Sequence, residues 1–169
     1  MKEILHRLKP HLIPTAIIAL FGLVLLTYFR DGLMIFGSDA GLWSMNADFQ
    51  LYTHSYTWTF HELGDYSPYH PLHIPYLAVL YLFDIVGLPA FLSEAFLMCL
   101  IYISIGLSMY FLAITLSRGR GWLMGVAAAL FYMFNTYMLL RFGTILHPVW
   151  FYGIALLPFM LALLVRGLN

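Results

Sequence analysis

Apolar residues in this chain run in long blocks, not in the short alternations of a water-soluble fold. A membrane-crossing helix needs about 20 mostly apolar residues, because backbone polar groups in hydrocarbon must be satisfied within the segment. Four blocks meet that requirement. The first, 12–29, follows a basic leader with Lys2, Arg7 and Lys9. The second, 90–116, carries one acid, Glu94, near its start. The third, 122–140, has no charge, and the fourth, 145–165, contains His147, Pro148 and Pro158. Pro158 is expected to kink that last helix, since proline removes a backbone donor and crowds the preceding turn. A fifth block, 72–87, is short and is broken by Pro75 and Asp84. It fits a helix lying in the membrane interface.

Charge bias sets the expected topology. With four spans and a cytoplasmic N-terminus, Lys2, Arg7, Lys9, Arg118, Arg120 and Arg166 fall inside, and only Arg30 and Arg141 fall outside. Making 72–87 a span would move Arg118 and Arg120 outside, against the positive-inside rule. The first block also has the basic start of a signal peptide. No small-x-small cleavage site precedes Arg30-Asp31, so a retained anchor is expected. The expected location is the plasma membrane, with multiple spans and segment 30–89 extracytoplasmic.

Composition agrees with this pattern. Of 169 residues, 62% are hydrophobic and 9% charged, against roughly 25% charged in soluble domains; the mean hydropathy is +0.85. Eight basic and eight acidic side chains balance, so no cationic field exists to hold nucleic acid. The lone Cys99 excludes an internal disulfide. The expected fold is an all-α membrane protein of about four transmembrane helices, with a large first external loop bearing juxtamembrane helices.

That loop, 30–89, holds six of the eight acids and His54, His61, His70 and His73. Met45, Phe49, Tyr52, Tyr56, Phe60 and Leu63 recur at three- and four-residue steps, which predicts an amphipathic helix over about 43–63. The alternation Tyr56, Trp58, Phe60 would equally suit a strand. Ser38 or Asp39 is a candidate cap. Residues 67–75, rich in proline, read as an extended crossing. The two interfacial helices, 43–63 and 72–87, are expected to lie on the outer membrane face, wedged against the bundle.

Five pieces in order carry a resemblance: GSDAGLW (37–43), the Trp58 region followed by Gly64, DIVGLP (84–89), FYMFNTYML (131–139) and HPVWFYGIALLPFMLALL (147–164). Together, over about 36–166, they are similar to the amino-terminal part of GT-C membrane glycosyltransferases, especially the arabinofuranosyltransferase-like group that uses polyprenyl-phosphate sugars. The resemblance implies an inverting transfer of sugar from a polyprenyl-phosphate donor to an external glycan or lipid acceptor. It also implies further spans, supplied by the remainder of a longer chain or by a partner subunit.

By that resemblance Asp39 is the general base, taking a proton from the acceptor hydroxyl as it attacks the anomeric carbon. Asp48 is the reserve. Arg141 and His147, at external span ends, would hold the donor phosphate, arginine through its fork geometry. His61, Glu62, Asp65, His70 and His73 are candidates for a divalent cation that neutralises phosphate charge. Each has a plainer reading. Asp39 would suit a helix cap, and Asp48 a solvated helix position. Arg141 would suit a snorkelling anchor. His147 could satisfy a carbonyl freed by Pro148, and the loop histidines could be interfacial polar residues. Glu94, about a turn inside the second span, is an intramembrane acid and so a functional candidate. The competing function is a non-catalytic membrane subunit or assembly factor whose external loop docks a partner.

Overall fold

The computed structural model describes residues 2–32, 43–56, 70–118, 121–139 and 148–168. Among the described residues every regular element is helical. Helix α1 (Lys2–Gly22) continues as a 3₁₀ segment, Leu23–Gly32. A 3₁₀ turn, Trp43–Asn46, leads into α2 (Ala47–His54). Then come α3 (His70–Ile85), α4 (Ala90–Leu116), α5 (Trp122–Met133) and α6 (Pro148–Gly167).

Helix α4 is the axis, and α1, α3, α5 and α6 all pack on it. Its length, 27 residues, corresponds to about 40 Å at 1.5 Å per residue. In α1 and the 3₁₀ segment that follows it the buried positions are Pro14, Ile18, Gly22, Leu25 and Phe29. They recur at steps of three and four, a single stripe turned inward. The rest of the segment faces out, and only 22% of Lys9–Thr27 is buried.

Small residues set how closely the helices meet. A Cβ on Gly106 of α4 would lie 2.7 Å from Ile18 Cγ2 and against Met133 Sδ. At that point α1, α4 and α5 converge, and any side chain would force them apart. Helices in lipid associate through such close approaches because lipid offers no hydrophobic reward for burying large side chains.

Block 122–140 is not one helix. Helix α5 stops at Met133, whose carbonyl accepts a 2.6 Å hydrogen bond from Tyr102 Oη. Asn135 then takes over the local backbone bonding. Its Nδ2 donates to the Tyr132 carbonyl (2.7 Å), and its Oδ1 accepts from Met138 N (3.0 Å), starting a new turn at 136–139. An asparagine offering its own donor and acceptor to the main chain competes with continued helix. Helix α5 alone has 12 residues, about 18 Å, less than a bilayer core of about 30 Å. By contrast, α6 begins on Pro148 and runs without interruption through Pro158. Two helical segments among the described residues are long and apolar enough to cross a membrane, Lys9–Thr27 and Ala90–Leu116.

The expectations for the loop need three corrections. Residues 70–75 are helical, not extended. Pro71 sits in the first turn of α3, where its missing N–H would have had no partner in any case. Next, α2 is capped by Asn46, whose Oδ1 accepts from Phe49 N at 3.2 Å, and not by Ser38 or Asp39. Finally, the helix expected over 43–63 ends at His54, and its bulky stripe faces out. Met45, Phe49, Tyr52 and Tyr56 are all at least half exposed, while Ala47, Leu51 and His54 face inward toward α3.

Helix α3 ends in a Schellman motif. Gly87 N donates to Asp84 O (2.8 Å) and Leu88 N to Phe83 O (3.0 Å), with Gly87 at φ +81°. This left-handed position favours glycine. It turns the chain back so that α3 lies across the start of α4. The Phe83 ring meets Phe96 edge to face at 5.6 Å, while Tyr76, seven residues earlier in α3, interacts electrostatically with Glu94. A helix running alongside α4 would carry Tyr76 much further along it.

The two ends of this body differ in charge. His11 Nδ1 lies 2.8 Å from Tyr110 Oη, and Arg166 Nε donates to Thr115 Oγ1 at 3.1 Å. These contacts gather the start of α1 and the ends of α4 and α6, with Lys9, Arg118 and Arg166, at one end. Asp48, Asp84 and Glu94 lie on elements at the other.

Candidate functional site

The acidic end encloses a cluster of polar side chains. Helix α2 supplies His54, α3 supplies His73 and Tyr76, and α4 supplies Glu94; all four are buried. His54 lies on the inward stripe Ala47, Leu51 and His54 of α2, which packs on α3. His54 Nδ1 donates to the Gln50 carbonyl one turn back (2.9 Å), which assigns the proton to that nitrogen and orients the ring. The ring then meets His73 at 5.3 Å between centroids and 89° between planes. Two imidazoles, one from α2 and one from α3, are thus held edge to face.

Tyr76 lies one turn after His73 on the inner face of α3. Burial pushes its phenol well above the ordinary tyrosine range, and the neighbouring Glu94 carboxylate raises it further. The Tyr76 phenol therefore stays protonated. Glu94 is 6% exposed, and its Oε2 has no hydrogen-bond partner among the described residues. A buried carboxylate oxygen left in that condition costs stability. Such a group has the chemistry of a proton acceptor, and Tyr76 places an aromatic hydroxyl near it.

Several residues singled out from the sequence, Asp39, His61, Glu62, Asp65, Arg141 and His147, lie outside the described residues. Asp48 occupies the first turn of α2 and is exposed, a position where a carboxylate favours the helix dipole. His70 is the first residue of α3. His73 and Glu94 are brought into the cluster. Among the described residues no three His, Cys, Asp or Glu side chains converge as a metal site would require. His54 and Tyr76 join the cluster without having been singled out. The signal for His54 was its place on the stripe 47, 51, 54, which the larger stripe 45, 49, 52, 56 overshadowed. For Tyr76 the only signal was its position three residues after His73.

Comparison of the chain with known protein families, characterised proteins and solved structures finds no match.

Proposed function

We propose that this chain is the amino-terminal part of a multi-pass membrane glycosyltransferase, inverting at the sugar, that moves the sugar from a polyprenyl-phosphate donor to an extracytoplasmic glycan or lipid acceptor. The observation that carries this reading is the enclosed His54–His73–Tyr76–Glu94 cluster at the acidic end of an apolar helical body, under two short helices. A lipid-borne sugar has to be met at such a boundary, where polar groups are within reach of both water and hydrocarbon. The order of motifs similar to GT-C enzymes supports the same reading.

In this proposal four segments cross the plasma membrane: 12–29, 90–116, 122–140 and 145–165. The basic end is cytoplasmic, following the charge bias, so α2, α3 and the cluster are extracytoplasmic. Asp39 is the base that accepts the acceptor's proton, with Asp48 in reserve. Arg141 and His147 bind the donor phosphate, and a divalent cation is a candidate cofactor. Glu94 and the two histidines act beneath that surface, holding or relaying a proton.

The test is Asp39→Asn in the full-context protein, read as sugar transfer in membranes alongside membrane insertion. Transfer should fall by about 10²-fold or more, the usual contribution of a positioned general base, with insertion unchanged. Turnover equal to wild type would remove Asp39 from the mechanism.

One observation favours a second reading. The outward stripe Met45, Phe49, Tyr52 and Tyr56 is also a surface that a partner subunit could cover, as a non-catalytic subunit or assembly factor would require. Crosslinking from position 52 separates the two. Capture of lipid alone supports the transferase arrangement, and capture of one defined membrane protein supports the subunit.

A further inference from the structure

The basic end holds a second feature, remote from the cluster. A cavity of about 590 Å³ opens between α4 and α6, walled on its apolar side by Leu107, Phe111, Ile114, Ala155, Leu156 and Phe159. A second cavity of about 490 Å³ adjoins it and shares His11, Ile114 and Arg166; Thr115, Arg118 and Trp122 complete its rim. The inner part is therefore hydrocarbon-like and the rim cationic. No described carboxylate lines either cavity.

The rim is organised. The Arg166 guanidinium lies 4.2 Å from the centroid of the Phe111 ring, and its Nε donates to Thr115 Oγ1 at 3.1 Å. That is its one protein hydrogen bond among the described residues, so the outer donors of the fork remain available. Arg118 sits just past the end of α4 at φ +53°, the one non-glycine residue with a left-handed backbone among the described residues. Glycine is the residue such a position favours, and a side chain there is strained. An arginine at that place, on the rim of a cavity lined by no described carboxylate, points to a use for its charge.

We infer that this cleft binds one anionic phospholipid, its phosphate between Arg118 and Arg166 and one chain along Phe111, Ile114 and Phe159. The charge complementarity and the apolar slot leading from it select a lipid phosphate over a free anion. Arginine pairs favour phosphate through bidentate hydrogen bonds, and Trp122 at the rim is suited to the headgroup layer. The inference needs the helices to be embedded in lipid. It is independent of the sugar transfer proposed above, which concerns the opposite end.

The test uses the whole chain in phosphatidylcholine nanodiscs doped with phosphatidylglycerol, with lipid that co-purifies after extraction counted by native mass spectrometry. Phosphatidylglycerol should be retained in excess over its share of the disc. Arg166→Gln combined with Arg118→Gly should reduce that excess about tenfold, on the order of 1.4 kcal/mol. Arg118→Gly alone should reduce it while relaxing the backbone, so a loss of lipid cannot be a loss of fold. Retention of the two lipids in proportion to their supply would overturn the proposal. Unchanged excess in the double variant would do the same, as would displacement of the lipid by excess inorganic phosphate. A chain that fails to enter nanodiscs would sink the membrane reading and this cleft with it. Entry without lipid preference would sink the cleft alone.

Discussion

The two ends of the helical body place their polar groups in opposite ways. At the acidic end His54, His73, Tyr76 and Glu94 are enclosed by packing, and one carboxylate oxygen is left without a hydrogen-bond partner among the described residues. At the basic end Arg118 and Arg166 stand on the rim of an open cavity, partly held by an aromatic face and a threonine hydroxyl. An enclosed charge carries its desolvation cost at all times, whereas a rim charge keeps its solvation until a ligand arrives. The first arrangement suits chemistry that needs a fixed, dry environment, and the second suits reversible binding of an ion-headed ligand.

The strongest way to break this comparison is through the region both ends share. Gly106→Leu should destabilise the chain by about 3 kcal/mol, the upper part of the overpacking range, because α1 and α5 leave no room beside that backbone. Thermal unfolding in detergent measures it. Survival of either end's properties in this variant would mean that the ends are built independently.

Single substitutions at the two ends should then have smaller effects that differ residue by residue. Glu94→Gln keeps the shape of the acidic cluster and replaces a buried carboxyl group that has an unpartnered oxygen, so stability should rise by about 1 kcal/mol, read from the unfolding midpoint. A fall of that size would show that the carboxylate is a structural anchor. Arg118→Gly should raise stability by about 1 kcal/mol through relief of the left-handed backbone, while it weakens lipid retention. Arg166→Gln should lower it by about 0.5 kcal/mol, the worth of an exposed cation–π contact. No change in the same melt would reduce the Phe111 contact to coincidence.

Several features were legible in the sequence for definite reasons. The helical class and the apolar character of α1 and α4 follow from block length, because the backbone in hydrocarbon has few other solutions. The short block at 72–87 corresponds to the 16-residue helix α3. Its proline in the first turn disguised the start, since proline reads as a breaker unless the first turn is known to begin there. The interruption at Asn135 was hidden for the converse reason. The local sequence FYMFNTYML is apolar enough to continue a helix, the Asn135 bonds are local, and the Tyr102 bond to Met133 appears only when α4 lies alongside.

Helix α2 shows what periodicity leaves undecided. It carries two stripes, and the recurrence of large apolar residues does not by itself say which of them packs on the body. In the structure Ala47 and His54 turn inward, and the aromatic residues Phe49, Tyr52 and Tyr56 turn out.

Composition, block length and the distribution of charge therefore determined that this chain is helical, apolar and polarised between a basic and an acidic end. These properties belong to single segments and follow from the solvation of backbone and side chains alone. The pairing of His54 with His73, the placement of Glu94 beside Tyr76, and the joining of His11, Arg118 and Arg166 around one cavity were decided by the tertiary structure. Each requires two or three helices to meet at a particular depth and rotation, which depends on the clearance at residues such as Gly106, and no single segment contains that information.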